Sequence, residues 1–273
     1  MSQQVVAVDE LEIPQASAQA ARVLEMLAEA DPDFTALEQA LMNDPVQAGE
    51  LLRYANSPLF RRASEVTNVP AAVRLLGLKN VRSAIVMSTL NSALPVDCPE
   101  AKDILAHLVS IATLCRLIAK VCCRARMDDM ALLGLIHDVG MIVLATNFAD
   151  SYRSIRARSV AESLPLDVLE LETYGLCHDD LAERVCRAFR LPASYQEVLS
   201  SLHYHPPGLT GTESQEWGIL TLAHHLLPDT GLPGGDVLET LAASREELAE
   251  MLALSDADLD GVIAAAQSLR QAG

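Results

Sequence analysis

Apolar residues recur at intervals of three and four along nearly the whole chain, the period of a helix buried on one face. Ile104, Leu108, Ile111, Leu114, Cys115, Ile118 and Cys122 mark one long amphipathic helix. Ala20, Val23, Leu24 and Leu27 mark another, from about Ser17 to Ala30. A third apolar run predicts a helix from about Asp128 to Thr146. Strand-like alternation is rare and aromatic residues are 4% of the chain, so little favours a sheet. Helix-start signals fit the same reading. Thr35 to Glu38, Ser244 to Glu247 and Ser255 to Asp258 have the spacing of capping boxes, Asp44-Pro45 starts a helix, and Asn68 starts the one that Gly77 ends. The expected architecture is all-α, a two-lobed multi-helix bundle without a sheet.

Punctuation divides the chain. Pro95 and Pro99 bracket a boundary between an N-terminal helical lobe, 15–95, and a second helical lobe, 99–227. Residues 1–14 read as a flexible N-terminus. A Pro/Gly-rich linker, Pro228 to Gly235, precedes a helical extension over 236–273 whose Leu248, Met251, Leu252, Leu259, Val262 and Ile263 should be buried.

Charge narrows the function classes. Twenty Lys and Arg against 37 Asp and Glu leave a net charge of −17, which argues against a nucleic-acid backbone or an anionic membrane as main partner. Neither a targeting segment nor an uninterrupted apolar span is expected. Six scattered cysteines, with Cys122 and Cys123 adjacent and a poor disulfide pair, read as reduced thiols of a cytoplasmic protein.

None of the seven histidines lies in the first 106 residues. His107 falls within the apolar stripe of its helix, His137-Asp138 interrupts the most apolar run, and His178 is in phase with Leu181, Val185 and Phe189. Buried groups of this kind need hydrogen-bond or metal partners. Two readings stand: unrelated core histidines, or a metal site assembled inside a helical bundle. In the first lobe Arg53, Arg61, Arg62, Arg74, Lys79 and Arg82 form a basic excess, readable as a solvated face or as a site for a phosphate or an acidic helix.

Leu133-Gly-Leu-Ile-His-Asp-Val-Gly140 resembles the core motif of the HD superfamily, in which helices supply a His, a His-Asp pair and a distal Asp to a divalent metal. Leu51 to Pro58, then Val69 to Leu78, resembles the signature of the HDOD family (HD-related output domain), carried here by Arg53, Asn56, Ser57 and Gly77. Tyr174 to Asp179, Phe189 to Pro192 and His203 to Pro206 extend the likeness over about Gln15 to Leu227.

The resemblance implies an HD-like helical second lobe. It makes His107, His137, Asp138, His178, His203 and His224 the candidate metal ligands. His224 stands where a distal Asp is expected, Met141 where HD enzymes often carry a phosphate-contacting Lys, and Tyr204 where His203 should have a paired His. These departures imply a degenerate site with no catalytic residue and no tightly held cofactor; the alternative is a divalent Fe, Mn, Ni or Zn ion. Asn56 is expected to be a left-handed or capping residue at a helix end. The implied function is a bacterial signal-transduction output or scaffold protein. It would bind another signalling protein, in a setting such as cyclic-dinucleotide signalling, and could form a homo-oligomer. The alternatives are a metal-dependent phosphohydrolase and a small-nucleotide sensor.

Overall fold

The computed structural model describes residues 11–57, 60, 64–94, 98–191, 193–199, 211–227 and 243–272. The regular structure of the described residues is all helix, with no strand. The helices are α1 (Ala18–Ala28), α2 (Phe34–Met42), α3 (Pro45–Ala55), α4 (Val69–Ala93), α5 (Pro99–Cys122), α6 (Met127–Ile136), α7 (Val139–Asn147), α8 (Ala149–Glu162), α9 (Leu166–Tyr174), α10 (Ala182–Ala188), α11 (Ala193–Leu199), α12 (Thr212–Leu226), α13 (Arg245–Met251) and α14 (Asp256–Ala272). Short 3-10 turns at Arg124–Arg126 and His178–Leu181 join α5 to α6 and α9 to α10. The chain forms two compact units. One comprises Pro14–Ala93 with Arg187–Leu191, and the other comprises Met1–Ile13, Leu94–Cys186 and Pro192–Gly273.

The first unit packs α1 to α4 around Leu24, Leu37, Leu41, Leu51, Val73, Ile85 and Leu90, all buried. Its helices start where a side-chain oxygen meets free N–H groups. Ser17 caps α1, Asp44 caps α3 ahead of Pro45, and Asn68 accepts from the Ala71 N–H at 2.9 Å. Helix α2 corrects the capping box expected at Thr35. Asp33 is the cap, its carboxylate accepting from the Thr35 and Ala36 N–H groups at 2.9 and 3.1 Å.

Asn56 is the cap expected at the end of α3, and of the two conformations open to it the structure takes one that is not left-handed (φ −93°, ψ 1°). Its amide donates to the Leu52 carbonyl at 2.9 Å and the Val66 carbonyl at 2.8 Å, and accepts from the Val66 N–H at 2.8 Å. It therefore clamps a loop onto the end of α3. Gly77 does take positive φ, at 71°, and kinks α4 at that point. Of the basic residues, Arg53 pairs with Glu50 at the surface and Arg82 donates to the Leu27 carbonyl, while Arg61 and Arg62 lie outside the described residues.

The second unit is organised on α5, which contacts α6, α7, α12 and α14. Helix α5 and the segment Arg124–Asn147 are long and apolar enough to cross a membrane, yet their apolar stretches are 56% and 89% buried within the protein, as core helices are. The predicted single helix from Asp128 to Thr146 is two, α6 and α7, broken at His137-Asp138. At the other end of the chain, both expected capping boxes form. Helix α13 rests on α12 and α14 on α5, burying Leu248, Leu252 and Val262 but leaving Met251 41% exposed. Part of the expected flexible N-terminus is held. Leu11 is buried, and the Glu12 backbone exchanges two 3.0 Å hydrogen bonds with the Asn147 side chain. Residues 1–10 and the predicted linker lie outside the described residues.

Asn56→Ala removes both hydrogen bonds to Val66 and leaves two part-buried backbone groups unpaired. The expected loss is about 1–3 kcal/mol, read from denaturant midpoints. A variant as stable as the wild type would show that the clamp contributes nothing.

Candidate metal centre

The break between α6 and α7 shapes the centre. In an unbroken helix, consecutive side chains diverge by about 100°, so neighbours do not face one point. Asp138 leaves helical geometry (φ −111°, ψ 24°), and its carboxylate turns toward the preceding residue. His137 Nε2 then lies 3.1 Å from Asp138 Oδ2, while His137 Nδ1 is fixed 2.8 Å from the Gly134 carbonyl. That second contact sets the ring's orientation, as outer-shell partners do for metal-ligating imidazoles.

His107 on α5 and His224 near the end of α12 complete the group. His107 Nε2 is 3.7 Å from Asp138 Oδ2. The three ring centroids are 5.3, 5.3 and 4.7 Å apart. One ligand atom from each of His107, His137, Asp138 and His224 lies within 4.8 Å of all the others. Donors on a tetrahedral ion at about 2.1 Å are about 3.4 Å apart, so small side-chain movements would close the group around a cation. All four residues are buried, at 3–8% exposure. Asp138 Oδ1 is buried without a hydrogen-bond partner, which leaves an acceptor aimed at no donor.

The electrostatics suit a cation. Burial, reinforced by repulsion from His137 and opposed by Asp138, pulls His107 down to about 3, so its imidazole is neutral. Burial alone would raise Asp138, but His137, by charge and hydrogen bond, and then His178 and His224, hold its carboxyl well below the ordinary range. A neutral imidazole beside an ionised carboxylate has no proton to release before it can ligate. Three imidazoles and one carboxylate are a donor set for Fe, Mn, Ni or Zn rather than for Mg. His224 joins the group, in the place where the resemblance puts a distal Asp.

His178 is not in the group. It lies in a 3-10 turn rather than on the helical stripe expected for it. Its Nδ1 is 2.6 Å from Glu170 Oε2, which also accepts from the His178 backbone N–H at 2.8 Å, and the Tyr152 hydroxyl donates to Glu170 Oε1 at 2.8 Å. Burial disfavours a charged His178, but Glu170 and Asp179 outweigh it and raise the imidazole well above its ordinary range. The result is a buried ion pair acting on Asp138 from beside the centre. Glu170 was missed. Its signal was a carboxylate in phase with Leu166 and Tyr174, on a face that the fold buries. Gly140 is needed because α7 crosses the His178 turn closely; a Cβ there would overlap the His178 carbonyl, 2.8 Å from its carbon. Arg156, whose charge also disfavours protonation of His107, carried no sequence signal. His203 lies outside the described residues.

A family model described as HDOD domain matches residues 13–206. Comparison with functionally curated proteins finds no match. Among solved structures, an HDOD domain protein with unknown function from Geobacter sulfurreducens is 19% identical, with 94% of this chain and 93% of that chain covered and a TM-score of 0.67. A protein from Shewanella amazonensis SB2B, assigned by inference as a phosphohydrolase, is 21% identical, with coverage of 94% and 95% and a TM-score of 0.66. A protein from Marinobacter aquaeolei VT8, assigned by inference to signal transduction, is 22% identical with a TM-score of 0.66; 99% of this chain aligns with 62% of that one. At these identities the likeness shows a shared fold.

Two predictions test this centre. The unfolded chain protonates His107 near 6.5, and the folded protein does so near 3. Between those values the unfolded state binds the extra proton, so stability falls on acidification, by up to about 1.4 kcal/mol per pH unit for this group. Asp138 adds its loss only below its unfolded value of 3.8, and His178 has the opposite sign, its contribution fading as pH rises above 6.5. Denaturation midpoints between about pH 6.5 and pH 4.5 should fall less steeply in His107→Gln than in the wild type; equal slopes would refute a neutral His107. Gly140→Ala should cost about 1–3 kcal/mol or more by overpacking against His178, measured by thermal unfolding.

Proposed function

The chain belongs to the HDOD family, and from that premise we propose that it is a bacterial signal-transduction output protein that acts by binding another signalling protein rather than by catalysis. The observation that carries this reading is the burial of the whole donor group, at 3–8% exposure, with four donors from the protein itself. Structural metal sites are closed in this way, whereas catalytic sites keep one position open. A bound ion would be held by His107, His137, Asp138 and His224, and would supply Lewis acidity to water or a phosphoryl oxygen reaching it. In this reading the donors instead tie α5, the α6–α7 break and α12 together. Buried Met141, standing where a phosphate-contacting Lys was expected, fits the same assignment. A net charge of −17 favours a cytoplasmic protein partner over nucleic acid or an anionic membrane. Cyclic-dinucleotide signalling remains part of the proposal on family grounds.

One observation favours a second reading, a metal-dependent phosphohydrolase. The His-Asp pair is intact, and its carboxylate is ionised next to a neutral imidazole.

Metal analysis of the purified protein, a turnover screen with phosphodiesters and nucleotides in added Mn or Fe, and capture of partners from the native cell decide between them. The expected outcome is a specific protein partner with no turnover. Asp138→Ala should lower stability by about 1–3 kcal/mol by removing the carboxylate 3.1 Å from the buried His137 ring. Metal-dependent phosphodiester cleavage that disappears in Asp138→Asn would establish the second reading. Nucleotide binding without cleavage would make the protein a sensor.

A further inference from the structure

Away from the donor group, α5 ends in two adjacent thiols. Cys122 is its last residue, and Cys123 follows outside helical geometry (φ −151°, ψ 59°). Their sulfurs are 3.8 Å apart, and the Cys122 thiol has both the Ile118 carbonyl, at 3.4 Å, and Cys123 as acceptors within reach. Both are partly exposed, whereas Cys98, Cys115, Cys177 and Cys186 are buried. Arg126, one turn on, is fixed by an ion pair with buried Glu216 of α12 and places its charge near Cys123. We propose that Cys122 and Cys123 are a reversible oxidation site for hydroperoxides, with Cys123 the attacking thiol and Cys122 the resolving one.

The two sulfurs are differentiated as such a pair requires. The Cys122 hydrogen bond, assisted by Arg126 and opposed by burial and Glu216, lowers Cys123. That same contact, with burial, raises Cys122, which stays a protonated donor. Burial alone pushes Cys186 up to about 11, and burial with nearby Asp179 pushes Cys177 up to about 12. A low-pKa, accessible thiol beside a second thiol is the arrangement that peroxide-sensing cysteines share. The Cys123 thiolate attacks the peroxide oxygen, giving a sulfenic acid and, after protonation, water or an alcohol. The Cys122 sulfur then displaces the hydroxyl as water. Two thiols and one hydroperoxide become one disulfide, one alcohol or water, and one further water. Adjacent Cα atoms are about 3.8 Å apart, shorter than disulfides usually span, so the product is strained and readily reduced by thiols.

The test uses the full-length reduced protein, graded hydrogen peroxide, alkylation and trypsin. Cleavage after Lys120 and Arg124 isolates both residues in a peptide with no other cysteine. That peptide should lose two hydrogens at doses that leave the other four thiols alkylatable, and dithiothreitol should restore it. Cys122→Ser should stop at a dimedone-reactive sulfenic acid on Cys123, and Cys123→Ser should leave Cys122 reduced. In the wild type, which needs no variant to fold, iodoacetamide should label Cys123 ahead of Cys122 below about pH 8.5. Oxidation of the buried thiols first, a disulfide joining two chains, unchanged reactivity in Cys123→Ser, or equal labelling of the two thiols would each overturn the proposal.

Discussion

A carboxylate buried among apolar helices is the constraint around which the second unit is arranged. Asp138 is 5% exposed, in the most apolar stretch of the chain. An ion so placed loses several kcal/mol of hydration unless other groups restore it. Three histidines do so, His137 and His224 in the donor group and His178 beside it, each on a different part of the chain. Packing here is therefore set by one charge as much as by area.

That compensation spreads outward. His178 acts on Asp138 as an imidazolium because Glu170 holds it, and Tyr152 in turn holds Glu170. The turn carrying His178 approaches closely because Gly140 has no side chain. Helix α5 carries His107 in the middle of a face made of Ile104, Leu108, Ile111 and Leu114, so ordinary hydrophobic burial places one donor of the group. The C-terminal helices lie against α12 and α5, the two helices that supply His224 and His107.

Much of this was legible in the sequence, and the exceptions have physical causes. Helices with a one-sided apolar stripe, such as α1 and α5, could be read with their buried residues because the stripe has a phase. The α6–α7 break could not. Leu132, Leu133, Leu135, Ile136, Val139, Ile142 and Val143 surround the axis, and a helix apolar on all sides has no phase to interrupt. The cap of α2 was misplaced because Asp33 and Thr35 both satisfy the local pattern, and the carboxylate takes both N–H groups. The Asn56 clamp reaches ten residues along the chain to Val66, beyond any local rule. In the centre, four donors were named from their positions on apolar faces and from the family resemblance. His178 was grouped with them because sequence spacing cannot tell which carboxylate a histidine will meet.

The α6–α7 break also has a geometric consequence. Because His137 and Asp138 are consecutive, they reach the centre as one rigid corner, and the fold has to bring together three pieces of chain instead of four. The same economy concentrates risk. One residue inserted within α6 would turn that corner by about 100° and carry both donors away together. An insertion in a loop before α5 or α12 would leave each helix free to keep its own donor in place. The centre is thus least tolerant of length changes in the short helix that leads into the break.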